Sequence, residues 1–497
     1  MRQRFEQQLN LGTIPIQQVK FQGRVLKSRD ELPPVLMALQ ALFVKAELNE
    51  KIFTLLEEKI QTKKTGRPGM DLWHILVLAV VRHTLHTNWD RLEDLANHHQ
   101  LLRQLLGVAT TGFSQETLQF NYQTIVDNVS LIDAELLYKI NEIVMVYGQE
   151  FLRRKVEEPL RLKTDSYVLE TNVHFPTDLN LLWDSLRKGL DMVRQLQQSQ
   201  PVKGWRKLAA IYSKTKALYR QAAQQVFRSN GKNEQQKRQS VQAYLEQARW
   251  LEQRFAFLLT APFQEPQALI VLASLATYVQ YTNKFIDQIE RRLLKGEVIP
   301  STEKVYSIFE PHTEWLSKGK QNKRVELGHA ILLTTDQHDL IVDYKVMEQR
   351  RDVNEVESLH QRLQEKFPAT PVESHSFDKG FYSAANRQHL DDLPIEQVVL
   401  PKRGKLTKAD KDREHHPDFI ALRHQHSAIE SNINRLEHHG LSRCMDKGLD
   451  HYKRTVGLSV LAYNLHVIGD HLLQVKRKDE HRKKTRQRLY AARAKAI

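Results

Sequence analysis

Three acids of this chain have the types and settings that could do chemistry together. Asp165 lies in a run that reads as a strand, Asp378 at the C-terminal end of a later strand, and Glu430 inside a helix. They are 213 and 52 residues apart, so only the tertiary fold can bring them together. Hard oxygen donors without cysteine partners suit Mg²⁺ or Mn²⁺ better than zinc. Two such ions about 4 Å apart can activate a water or a 3′-hydroxyl and stabilise the leaving oxygen of a phosphodiester. The chain holds 59 Asp and Glu, so some trio at strand ends is expected by chance, and ordinary surface acids are the competing reading at this point.

To act together these acids need a mixed sheet around them. The segment LRLKTDSYVLETNVHF, from Leu160, alternates apolar and polar residues and predicts the start of a strand pair. RVELGHAILLTTDQHDLIVDYKVM predicts a hairpin about the turn-like DQHD. A helix, a short strand ending at Asp378 and Gly380, another helix and the strand IEQVVLPK follow, and ALRHQHSAIESNINRLEHHG predicts one helix that stops at Gly440. This order is mixed α/β. Ahead of it, residues 1–65 predict an N-terminal helical segment in which Leu36, Leu39, Leu42, Phe43, Leu48 and Ile52 recur near the helical period. KKTGRPGM breaks helix, and residues 66–150 then predict helices at DLWHILVLAVVRHTLHT, at NWDRLEDLANHHQLLRQLLG and from Ser114. Three short helices suit a helix-turn-helix-like DNA-binding domain and equally any small bundle. Residues 151–180 and 301–473 predict the mixed α/β catalytic domain, interrupted by a helical insertion over 181–300, and 474–497 a basic C-terminal tail.

Composition narrows the partner. The 497 residues carry 74 Lys and Arg against 59 acids, a net charge of +15, which points to a polyanion. The tail from Gln474 holds ten Lys or Arg and two acids, and reads either as an arm along phosphates or as a solvated helix. With 41% hydrophobic residues the chain is globular rather than disordered. A single cysteine, Cys444, excludes an internal disulfide and a Cys-rich zinc module, and suits a reducing cytoplasm. A mixed zinc site from His424, His438, His439 and Cys444 has no motif behind it. The longest strictly apolar run, Ile75 to Val81, is far short of a membrane span, so a soluble cytoplasmic protein is expected. No Walker A, dinucleotide-binding or nucleophile-elbow motif is present.

The segments around the three acids resemble the catalytic blocks of bacterial insertion-sequence transposases of the DDE type, in the IS4/IS5-like superfamily and its groups with a long insertion after the first Asp. Asp165 followed by Ser166 resembles the family's first acid; Asp378, Lys379, Gly380, Phe381 and Tyr382 resemble its D-x-G-aromatic signature; Glu430 resembles its helical Glu. GRPGMDLWHILVLAVVRHTLHTNWDRLEDLA is also similar to the family's N-terminal region. The sequence departs from the family's Tyr, Arg and Lys at offsets −7, −4 and +7 from the Glu, where Arg423, His426 and Glu437 stand. The resemblance implies an RNase H-like catalytic domain preceded by an all-α N-terminal domain. It implies Asp165, Asp378 and Glu430 as catalytic and metal-binding residues for two Mg²⁺ or Mn²⁺ ions. It also implies double-stranded DNA (terminal inverted repeats and target) as substrate, and a homodimer or larger synaptic complex. Lys379, Lys402, Arg403, Lys405 and Arg435 are candidate phosphate contacts. A catalytically silent DNA-binding relative, or an RNase H-like nuclease without strand transfer, is the alternative.

Overall fold

The computed structural model describes residues 2–5, 7, 13–21, 30–60, 69–109, 118–153, 158–228, 234–317 and 325–494. They form two compact units, Met1–Asn172 with Gly328–Ile497, and Val173–Leu327.

The first unit opens with helices α1 (Leu32–Val44), α2 (Ala46–Lys59), α3 (Leu72–Thr84), α4 (Trp89–His98), α5 (Gln100–Leu105), α6 (Tyr122–Val129) and α7 (Ala134–Leu152). α3 is buried almost all round, which its continuous apolar run requires. The single helix expected over NWDRLEDLANHHQLLRQLLG is two. His99 takes an extended conformation, ends α4 and caps α5, its Nδ1 accepting from the Leu102 N–H at 3.2 Å. The helix start expected at Ser114 lies outside the described residues; α6 begins later, capped by the Asn121 side chain. After α7 the chain enters β1 (Leu160–Thr171), one twelve-residue strand rather than a pair, with Val173 and Phe175 outside it.

The second unit contains α8 (Asp178–Ser199), α9 (Leu208–Arg228), α10 (Glu234–Leu259), α11 (Pro266–Ile289) and the short β2 (Glu314–Leu316). It has a core of its own. Trp205 stacks on Phe255 and Trp183 on Tyr219 at ring separations of 5.5 and 5.6 Å, so these aromatics are structural.

The chain then returns to the first unit through β3 (Glu326–Thr335), β4 (Ile341–Met347), α12 (Val356–Lys366), β5 (Val372–Phe377), α13 (Ala384–Asp391), β6 (Ile395–Val399), α14 (Lys408–Glu414), α15 (Pro417–His426), α16 (Ala428–Leu436), β7 (Arg443–Cys444) and α17 (Leu449–Ala494). Its sheet runs β4-β3-β1-β5-β6, so the fold is mixed α/β as the element order predicts. β3 and β4 form the expected hairpin, β3 is antiparallel to β1, and β5 and β6 continue the sheet in parallel. β7 pairs briefly with the end of β1, at Glu170 and Thr171. Gly328 is required where β3 crosses β1, because a Cβ there would sit 1.9 Å from the Leu169 carbonyl oxygen.

The single helix expected to stop at Gly440 is also interrupted. The Ser427 hydroxyl donates to the His424 carbonyl at 2.7 Å and separates α15 from α16. A wide helical turn over Glu437–Leu441 then closes at Gly440, whose φ of +96° is the left-handed conformation of a helix stop. α17 is the one described helix long and apolar enough to cross a membrane, and 78% of that window is buried inside the protein against α1, α3 and α7. From Gln474 to Gln487 the same helix is mostly exposed and basic.

Candidate active site

β1 and β5 are parallel neighbours, with Lys163 opposite Ser376 and Thr164 opposite Phe377. Asp165 is the next residue of β1 and Asp378 the first residue after β5, so extending the register by one residue carries both to about the same height. Alternation puts both on the sheet face shared by Lys163 and Ser376. Asp165 is half-buried and its Oδ1 accepts the Ser166 N–H at 2.7 Å. Asp378 is exposed where β5 ends and begins a tight turn, the Phe381 N–H returning to its carbonyl at 3.2 Å. The buried Phe381 ring anchors that turn. Gly380 lies against Asp352, whose Oδ2 would be 2.9 Å from a Cβ.

Helices α15 and α16 lie over this face. His426, the last residue of α15, meets Ser376 Oγ through Nδ1 at 2.9 Å. Asn432 of α16 donates to Asp339 Oδ1 at 3.2 Å, and Lys163 Nζ reaches the same oxygen at 3.4 Å. Further along, burial and then the Glu437 carboxylate push the buried Tyr167 phenol well up. α16 is held down by buried Ile429, Asn432 and Leu436, which leaves Glu430 exposed about one turn beyond His426.

Ser376 Oγ sits between the Leu162 carbonyl at 3.3 Å and His426 Nδ1 at 2.9 Å. The other ring nitrogen of His426, Nε2, is buried without a hydrogen-bond partner among the described residues. Burial lowers the pKa of this ring, while the Asp378 carboxylate works in the opposite direction. The only sequence signal for His426 was its place four residues before Glu430, where it counted as a departure from a basic pattern.

The site is acidic and oxygen-rich, and its donors fit a hard divalent ion in kind. Among the described residues no three His, Cys, Asp or Glu side chains stand close enough together to hold a metal. The zinc set is not assembled either: His439 turns its Nε2 to His466 Nδ1 at 3.0 Å, and Cys444 Sγ contacts the Asp446 carbonyl at 3.5 Å.

The cationic candidates divide into free and engaged. Lys379 is exposed directly after Asp378, and Arg403 and Lys405 are exposed in the turn after β6. Lys402 is paired with Asp410, and Arg435 with Asp470.

Against known proteins, no curated protein and no solved structure matches the chain. One family does: residues 299–465, about a third of the chain, match the family described as transposase DDE domain. Asp378 and Glu430 lie inside the matched segment and Asp165 ahead of it, so the similarity to a transposase DDE domain covers the part of the chain that carries two of the three candidate acids.

Proposed function

We propose that this protein is a DNA transposase of a bacterial insertion sequence, of the IS4/IS5-like kind, which binds terminal inverted repeats and catalyses metal-dependent strand cleavage and strand transfer. The observation that carries the reading is the place of Asp165 and Asp378, each one residue beyond the Thr164–Phe377 pair of neighbouring parallel strands, in a chain whose 299–465 segment matches the transposase DDE domain. The strand order β4-β3-β1-β5-β6, with two antiparallel pairings followed by two parallel ones, supports an RNase H-like reading of the catalytic domain.

Asp165, Asp378 and Glu430 would hold Mg²⁺ or Mn²⁺, in a two-ion site. When bound, the ions supply Lewis acidity to the reacting phosphodiester. The chain itself supplies placement. The backbone N–H of Ser166 holds one carboxylate, and the anchored turn after Asp378 holds the other. In-line displacement depends on such placement more than on covalent help from the protein. Lys379, Arg403 and Lys405 are exposed and able to meet phosphates. Lys402 and Arg435 would have to exchange Asp410 and Asp470 for DNA. The exposed basic stretch of α17 adds attraction for the backbone that is independent of sequence. Action in the cytoplasm on nucleoid DNA, by a homodimer or larger synaptic complex, belongs to the same reading.

The test is incubation of purified protein and Mg²⁺ with labelled duplex bearing the flanking element end, beside Asp165→Asn, Asp378→Asn and Glu430→Gln. Nicking and joining at the element boundary, lost in all three variants while end binding survives, is the expected result. Binding without any cleavage by the wild-type protein would overturn the enzymatic reading, and cleavage retained in one variant would remove that residue from the catalytic set.

A further inference from the structure

The other face of β1 and β5 carries Leu162, Thr164, His375 and Phe377, and it holds a line of buried polar groups that the chemistry above does not use. Thr164, Thr334 and His375 are fully buried and His360 nearly so. Thr334 Oγ1 meets Thr164 Oγ1 at 2.7 Å, and Thr164 Oγ1 meets His375 Nε2 at 2.8 Å. His375 Nδ1 meets His360 Nε2 at 3.1 Å, and His360 Nδ1 meets the Val356 carbonyl at 2.8 Å.

The donors in this line can be assigned from its end. The Val356 carbonyl only accepts, so His360 carries its proton on Nδ1 and accepts at Nε2. His375 must then donate from Nδ1 and accept at Nε2, Thr164 must donate to His375, and Thr334 must donate to Thr164. Every member is satisfied, in one direction, with both rings neutral, and burial keeps both rings neutral. The line ties β3 to β1, β1 to β5 and β5 to α12. It crosses the sheet at Thr164, immediately before Asp165, and at His375, three residues before Asp378.

The backbone ladder alone does not secure that height. The β1–β5 register shifts between Leu160 and Arg161, where the partner moves from Val372 to Ser374. A shift of one residue turns side chains to the opposite face of a sheet. Beyond the shift, any slip of β5 along β1 would separate the buried Thr164 hydroxyl from His375, and a buried polar group without its partner is costly.

We propose that the Thr334–Thr164–His375–His360 line sets the height of Asp378 against Asp165, which makes Thr164 and His375 positioning residues of the active site. The proposal rests on the functional reading above only in taking the two aspartates as metal ligands.

The test uses the full-length protein as wild type, Thr164→Val, Thr164→Ser, His375→Phe and Asp165→Asn. Mn²⁺ binding is followed by the spin-resonance signal of the free ion, together with thermal unfolding and the Mg²⁺ dependence of element-end cleavage. Thr164→Val keeps the shape and removes the hydroxyl, whereas Thr164→Ser keeps the hydroxyl. Loss of about tenfold in Mn²⁺ affinity is expected for Thr164→Val and His375→Phe, with a matching rise in the Mg²⁺ needed for cleavage, while Thr164→Ser stays within about threefold of wild type. Variants that unfold at lower temperature but bind Mn²⁺ as the wild type does would overturn the proposal; if His375→Phe fails to fold, the Val and Ser pair at position 164 decides. Wild type that binds Mn²⁺ through Asp165 without cutting DNA would overturn the transposase reading and leave the positioning role judged by Mn²⁺ affinity. No Asp165-dependent Mn²⁺ binding would overturn both.

Discussion

The two faces of the β1–β5 pair carry polar groups of opposite fate. On one face Asp165 is half-buried and Asp378 exposed, near a histidine whose Nε2 has no partner among the described residues. On the other, Thr164, His375 and His360 are buried and satisfied without water. Charge is tolerated where solvent or a cation can reach it, while neutral polar groups survive in the dry layer only as a closed hydrogen-bonded set. In the proposed reading, reaction belongs to the first face and placement to the second.

Breaking the acidic face should have the largest effect. Asp165→Asn or Asp378→Asn should lower element-end cleavage by at least about a thousandfold, measured with saturating Mg²⁺ in single-turnover reactions, since the proposed function makes each a ligand to the catalytic metal. Thermal stability should hardly change, because Asp378 is exposed and Asp165 only half-buried.

The dry face should respond to acid instead. His360 has its pKa lowered to about 4 by burial, and that of His375 lies well below the ordinary value. A ring neutral in the folded protein and free to protonate at about pH 6.5 when unfolded contributes stability that is fully present above pH 6.5. That stability is lost as pH falls towards the folded pKa. At pH 5 the loss is about 2 kcal/mol for His360, and His375 adds a loss of the same sign. His439 and His466, each lowered to about 3, add losses of the same sign. The share of this face is therefore the difference in pH slope between wild type and the His360→Phe, His375→Phe double variant, read from urea unfolding at pH 7 and pH 5. An unchanged slope would remove these rings from the acid response.

A smaller effect separates the members of the buried line. Thr164→Val strands the His375 acceptor and should cost about 1–3 kcal/mol. Added to His375→Phe it should cost much less, because the stranded acceptor is then gone. Additive costs in denaturant unfolding would show that the two side chains act independently.

His426→Ala sharpens the comparison from the acidic side. It removes the buried, unpartnered Nε2 and the contact with Ser376, and should lower cleavage by roughly ten- to a hundredfold with end binding intact. The smallest effect belongs to the tail. Replacing Lys476, Lys478, Lys483, Lys484 and Arg486 by Gln should weaken DNA binding mainly at low salt and flatten its salt dependence, by roughly one unit of slope for each phosphate that the tail no longer neutralises.

Much of the sheet could be read from residue patterns. The β3–β4 hairpin, β5 ending just before Asp378, β6, and the helix stop at Gly440 follow from alternation and turn residues. Errors fell where one side chain outweighs a periodic pattern. His99 and Ser427 each divide an expected helix by bonding the backbone, and neither changes the apolar period that predicts helix on both sides. For the candidate site, the sequence pointed to the acids and passed over His426, His375 and Thr164. Histidine and threonine have no periodic signature, and their roles depend on partners up to 211 residues away.

What the order of residues settled is what local physics can reach: a basic, globular chain, strands and helices in mixed succession, acids at a strand end and within a helix. The tertiary structure alone decided which residues share a height and a face. The parallel partner of β1 is β5, more than 200 residues later, with a register shift between them that no local pattern records. Side chains alternate across a sheet, so that register settles whether Asp165 meets Asp378 and whether Thr164 meets His375.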